Sequence, residues 1–203
     1  MSYLAKAPGK CPDNAPPWFK FAYEHYGEKE IKGGKDNPFI RHLWAAIDFG
    51  ERPDEVPWCS IFVNAMLVAV GRPGTGSPMA ITFEKYGAAV NLTDVQLGDT
   101  VVLHRFNAAH YVDHPHDWRR HVGFFAGLHA DGKVVRLLGG NQHDMVCEAD
   151  FPTSRITAIR RPSKTAGSAS ADYEAMVAYK KAKRAAVQEK YDEYMAASVK
   201  KDA

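Results

Sequence analysis

Pro57-Trp58-Cys59-Ser60-Ile61-Phe62-Val63-Asn64-Ala65-Met66-Leu67-Val68-Ala69-Val70-Gly71 is the stretch on which the fold turns. From Ser60 to Val70 it is apolar apart from Asn64 and carries no charge, which predicts a helix buried on most of its sides. Pro53 to Pro57 breaks the chain before it and Gly71 closes it, so Cys59 falls at or just before the first turn. Upstream, Trp18, Phe19, Ala22, Tyr23 and Tyr26 recur at helical spacing until Gly27. Phe39, Ile40, Leu43, Trp44 and Ile47 do the same towards Gly50. Arg72 to Pro78 reads as a loop, and Ala80 to Tyr86 as one more short helix.

After Gly98-Asp99 the pattern changes to strands: Thr100 to Leu103, His121 to Leu128, Lys133 to Gly139, Met145 to Phe151 and Ile156 to Arg160. Asp131-Gly132 is a hairpin signal between two of them. Helices followed by an antiparallel sheet predict an α+β domain over residues 1–162. Residues 163–171 read as a small-residue linker. Residues 172–203, rich in alanine, lysine and glutamate, read as a charged helix.

The chain has 203 residues, enough for one hydrophobic core. Its net charge of +2 is too small to imply nucleic acid. No apolar run approaches the roughly 20 residues that span a bilayer. The first ten residues lack a secretory signal pattern, so the expectation is synthesis in the cytoplasm. Cys11, Cys59 and Cys147, odd in number and widely spaced, form neither a disulfide framework nor a zinc ribbon.

A cysteine at a helix N-terminus has its thiolate favoured by unpaired amides and the helix dipole. A small buried core cysteine is the plainer reading of the same position. His121, opening a strand after Arg119-Arg120, supplies a base. Asn141, in Gly139-Gly140-Asn141-Gln142, supplies an acceptor for the second imidazole N–H, with Gln142 and Asp144 left as alternatives. Cysteine, histidine and amide in that order suggest a nucleophilic triad. Trp58 and Gln142 are the expected substrate contacts. Neither a metal nor another cofactor is required.

The chain resembles the CHAP-like cysteine hydrolases of cell walls, within the papain-like superfamily, and most of all a branch among phage endolysins. The resemblance is carried by Pro17-Trp18, Gly27-Glu28-Lys29-Glu30-Ile31, Asn37-Pro38, and Pro57-Trp58-Cys59-Ser60 with Phe62-Val63-Asn64. It continues in Gly74-Thr75-Gly76-Ser77, Gly98-Asp99-Thr100-Val101-Val102, His121-Val122-Gly123-Phe124 and Gly139-Gly140-Asn141-Gln142. It implies a nucleophile at Cys59, a base at His121 and an orienting residue at Asn141. The implied partner is bacterial peptidoglycan, cut at the muramoyl-alanine amide or within its peptides by a monomer released through holin pores or a secretion machine.

Two segments depart from that pattern. Residues 104 to 120 hold His110, Asp113, His114 and His116, which leaves open a zinc-dependent wall amidase. The lysine-rich C-terminal segment suggests a helix that contacts anionic envelope polymers. A wall-binding module without catalysis is the third reading.

Overall fold

The computed structural model describes residues 9–33, 35–114 and 116–162. The expected linker 163–171 and C-terminal helix 172–203 lie outside the described residues. Helix α1 spans Pro17–Glu24, α2 Pro38–Leu43 and α3 Cys59–Ala69, and a 3₁₀ turn, Trp44–Ile47, continues α2. Pro17 and Pro38 both stand in the first turn of their helices, where a missing N–H costs nothing. Asn37 caps α2 by accepting from the Phe39 N–H at 2.8 Å. Asp54, fully buried, accepts from the N–H groups of Ile31 and Asn37 at 2.9 and 2.8 Å, which fixes the chain between α1 and α2.

As its composition predicts, α3 is the central helix, with every residue from Cys59 to Leu67 buried. Its two polar interior residues are satisfied, and Ser60 Oγ donates to the Ser77 carbonyl at 2.9 Å. Asn64 donates to the carbonyls of Ser60 and Ser77 and accepts from the Gly76 N–H. The Gly-Thr-Gly-Ser loop is thereby tied onto the helix, and Gly74 is needed there because a Cβ would meet Asn64 Oδ1 at 2.1 Å.

The sheet comprises β1 (Ala88–Ala89), β2 (Thr100–His104), β3 (Arg120–Leu128), β4 (Val134–Gln142), β5 (Met145–Pro152) and β6 (Ile156–Arg161). The order is β1-β6-β2-β3-β4-β5, and every pairing is antiparallel. Only a 3₁₀ turn, Thr153–Arg155, joins β5 to β6. In a flat sheet those strands would stand four spacings, roughly 19 Å, apart. The link from Pro152 to Ile156 reaches at most about 14 Å, so the sheet must curl into a partial barrel.

The curl divides the core in two. Val102, Val122, Phe124, Leu138 and Val146 face the helices, whereas Val101, Leu103, Phe125, Val135, Leu137 and Ile159 fill the concave side.

The α+β class is as read from the sequence, with four differences in detail. Ala80–Lys85 is 3₁₀ rather than α. The segment before His121 contains a short helix, α4 (Ala108–Asp113), capped by Asn107, which accepts from the His110 N–H. Strand β1 has two exposed alanines and so no apolar alternation to reveal it. Strand β4 runs on to Gln142 instead of stopping at Gly139. No helix among the described residues is long and apolar enough to cross a membrane.

Candidate active site

Cys59 is the first residue of α3, and its thiol is almost completely buried, with 3% of the residue exposed. The backbone N–H groups of Val122, Ser60 and Cys59 face it. Burial nevertheless raises the Cys59 thiol above its ordinary value, against the N–H group of Val122, the positive charge of Arg105 and the N–H groups of Ser60 and Cys59. The β3–β4 pairing ends at Phe124–Leu138. Val122 therefore lies where the two strands have parted, and the helix terminus meets the sheet there.

His121 immediately precedes Val122 and pairs with Leu103 of β2, so its side chain belongs to the concave face. Its ring stacks obliquely on Phe151, with centroids 5.4 Å apart. Nε2 of His121 lies 2.9 Å from Oε1 of Gln142. The other end of that amide decides the proton. Gln142 Nε2 donates to the carbonyls of Leu137, at 3.1 Å, and Cys147. Two carbonyls can only accept, so the amide cannot be turned round, and Oε1 must face the ring. An acceptor opposite Nε2 requires Nε2 to carry hydrogen. The lone pair of the neutral ring is then on Nδ1.

Burial pushes His121 down to about 4; the Gln142 contact opposes this, and the charges of Arg105 and Arg155 add to it. At neutral pH the resting site thus holds a thiol and a neutral imidazole.

The amide that meets His121 is therefore Gln142, which the sequence reading placed among the substrate contacts and left as an alternative to Asn141. Asn141, expected in that role, instead donates from Nδ2 to Oε1 of Glu30 at 2.9 Å. A bulge is the cause. The β4–β5 register shifts between Gly139 and Gln142, and Asn141 takes a left-handed φ of 55°. Successive side chains no longer alternate across that step, and the amide delivered to the concave face belongs to the next residue. His143 and Asp144 close the hairpin, both with positive φ, as a two-residue turn of the I′ kind requires.

Trp58 is fully buried. It packs against Phe62 and donates from Nε1 to the same Glu30 oxygen at 2.9 Å. One carboxylate oxygen therefore holds both the residue before Cys59 and the residue before Gln142. Glu30 was legible only as part of a motif, since its partners are far away in sequence. Gly140 belongs to the same construction: a Cβ there would stand 2.3 Å from the Trp58 ring.

The histidine-rich segment makes other contacts. His110 Nε2 meets Asp117 Oδ2 at 2.7 Å, Asp117 also accepts from Arg119, and the His110 and His114 rings lie 4.6 Å apart. Asp113, His114 and His116 are exposed. Among the described residues no three His, Cys, Asp or Glu side chains converge as metal ligands would. Cys147 is buried in β5, and its thiol donates to the Gln142 carbonyl.

Compared with models of protein families and with curated proteins, the chain matches none.

Proposed function

We propose that the protein is a cysteine hydrolase that cleaves an amide bond of bacterial peptidoglycan with Cys59 as nucleophile and His121 as base. The observation that carries this reading is the fixed amide of Gln142, which leaves the basic nitrogen of His121 at Nδ1 on the residue next to the N–H that faces the thiol. A merely structural histidine does not need its tautomer dictated through a glutamine locked at both ends. The peptidoglycan substrate comes from the resemblance to CHAP-like and papain-like wall hydrolases, as does release through holin pores or a secretion machine.

In the proposed reaction Nδ1 of His121 takes the thiol proton as sulfur adds to the amide carbon. The resulting oxyanion is received by backbone N–H groups at the start of α3. The imidazolium returns its proton to the amine as the C–N bond breaks. Water, deprotonated by the same imidazole, then releases a carboxylic acid from the thioester and restores the thiol.

The test is incubation of wild type and Cys59→Ala with peptidoglycan sacculi, following turbidity and new amino groups, with products weighed by mass spectrometry. Clearing lost in the variant, or on alkylation, but kept in the presence of a chelator is the expected result. Equal clearing by both proteins refutes the thiol mechanism.

A further inference from the structure

Residues 27–30 run antiparallel to the start of β5, along the edge of the sheet. The Gly27 N–H reaches the Val146 carbonyl at 2.8 Å, the Val146 N–H returns to the Glu28 carbonyl at 2.7 Å, and Lys29 bridges to Met145. The Glu30 N–H donates to the Asp144 carbonyl at 2.9 Å, and the next N–H, that of Ile31, is held by buried Asp54. The half-buried side chain of Glu30 therefore stands on backbone that is fixed on both sides.

Its carboxylate serves two elements at once. Oε1 accepts from Trp58 Nε1 and from Asn141 Nδ2, both at 2.9 Å. The Trp58 indole is thereby held at opposite edges: Nε1 by Glu30, and Cζ3 and Cε3 by Gly140, where a Cβ would stand 2.3 and 2.6 Å away. Trp58 is the N-cap residue of α3, and its carbonyl accepts from the Phe62 N–H at 2.9 Å. A shift of the indole is passed to the start of the helix, where Cys59 is the next residue. On the other side, Asn141 sits in the bulge of β4, one residue ahead of the Gln142 amide that meets His121.

The charges that act on Cys59 and His121 are those of Arg105 and Arg155, and Glu30 is not among them. Its influence runs through the two side chains it holds. Because Oε1 takes both bonds, a proton on Oε2, or an amide nitrogen in its place, leaves both acceptors' contacts intact.

We propose that Glu30 is a positioning residue for the hydrolysis, joining the start of α3 to the bulge of β4 so that the Cys59 thiol stays within reach of Nδ1 of His121. This rests on the amide-hydrolase reading above and adds to it a residue that touches none of the reacting atoms.

The test measures kcat and KM on a soluble muropeptide for wild type, Cys59→Ala, Glu30→Ala, Glu30→Gln and the double variant Trp58→Phe/Asn141→Gly. Circular dichroism and urea titration give the folded fraction to which each rate is normalised. Glu30→Ala should lower kcat about ten- to a hundredfold with KM little changed, the cost of misplacing reacting groups by about 1 Å. Glu30→Gln should recover most of that loss. The double variant keeps Glu30 but lacks both donors; it should be as slow as Glu30→Ala, and adding Glu30→Ala to it should cost nothing further.

Folded Glu30→Ala with the wild-type kcat, or with a loss confined to KM, overturns the proposal while sparing the hydrolase reading. So does Glu30→Gln as slow as Glu30→Ala, which would assign the effect to charge. If Glu30→Ala does not fold, an unchanged kcat in the double variant overturns the proposal and a loss of the stated size upholds it. No cleavage by wild type, or equal cleavage by Cys59→Ala, removes both.

Discussion

Replacing Gln142 by Ala and Asn141 by Gly separates two residues that the sequence leaves nearly equivalent. Gln142→Ala removes the acceptor at His121 Nε2 and the donors to the Leu137 and Cys147 carbonyls. The residue is 3% exposed, so these three groups lose partners in a place water reaches poorly. At about 1–3 kcal/mol for each group, reduced where water enters the space left behind, the stability loss is roughly 2–5 kcal/mol. Catalysis should fall further than stability implies, because the ring is then free to carry its proton on Nδ1. A wrong tautomer in a comparable triad costs on the order of 10⁴ in turnover.

Asn141→Gly keeps the left-handed backbone at φ 55° and removes one half-buried hydrogen bond to Glu30, so about 1 kcal/mol and a small rate effect are expected. Amine release from sacculi gives the rates, urea titration the stabilities, and ¹⁵N shifts of the imidazole the tautomer. Loss of turnover in Asn141→Gly, with Gln142→Ala near wild type, would show that Asn141 orients the base and that the amide lock has no catalytic meaning.

Three further outcomes follow from the same contacts. His25 and His121 both titrate at about 4 in the fold against an ordinary 6.5, so the unfolded chain binds protons over that interval which the folded one refuses. Their contribution is therefore complete above pH 6.5 and is lost as pH falls towards 4. A gap of 2.5 corresponds to roughly 3 kcal/mol for each histidine; urea midpoints that do not change between pH 7 and 4.5 would contradict this. Gly140→Ala would press a methyl into the Trp58 ring and Phe62 Cβ, at 2.3 and 2.7 Å. It should cost about 1–3 kcal/mol or more and slow turnover through displacement of the start of α3, measured by melting and by rate. Asp54→Ala strands the buried N–H groups of Ile31 and Asn37 and should cost roughly 2–5 kcal/mol in a denaturant titration; an unchanged midpoint would show that water replaces the carboxylate.

The residues that could be read from sequence are those whose neighbours in the chain impose their environment. Helix α3 is announced by an uncharged apolar run, and the β3–β4 hairpin by Asp131-Gly132, where Gly132 takes a φ of 68°. The placements of Cys59 and His121 follow from those elements, since one starts the helix and the other lies at the start of a strand. The orienting amide does not. The strand runs on past Gly139, and a bulge that no local pattern reveals brings Gln142 rather than Asn141 to the imidazole, ahead of a turn built from His143 and Asp144 without the usual glycine. Glu30 is harder still, because its significance lies in contacts with Trp58 and Asn141 that exist only once helix and sheet have docked. Helix α4 is six residues long, too short for a helical period to show among the polar residues on either side of it.

The wide spacing of Cys59, His121 and Gln142 along the chain has a consequence for synthesis. The thiol leaves the ribosome with α3, long before the strand that bears its base and the hairpin that fixes the proton on that base. On the proposed mechanism a nascent chain, or a fragment clipped ahead of Gln142, has the thiol without the groups that would set it to work. The competent arrangement, on that mechanism, arrives only when the β4–β5 hairpin has closed over the start of α3.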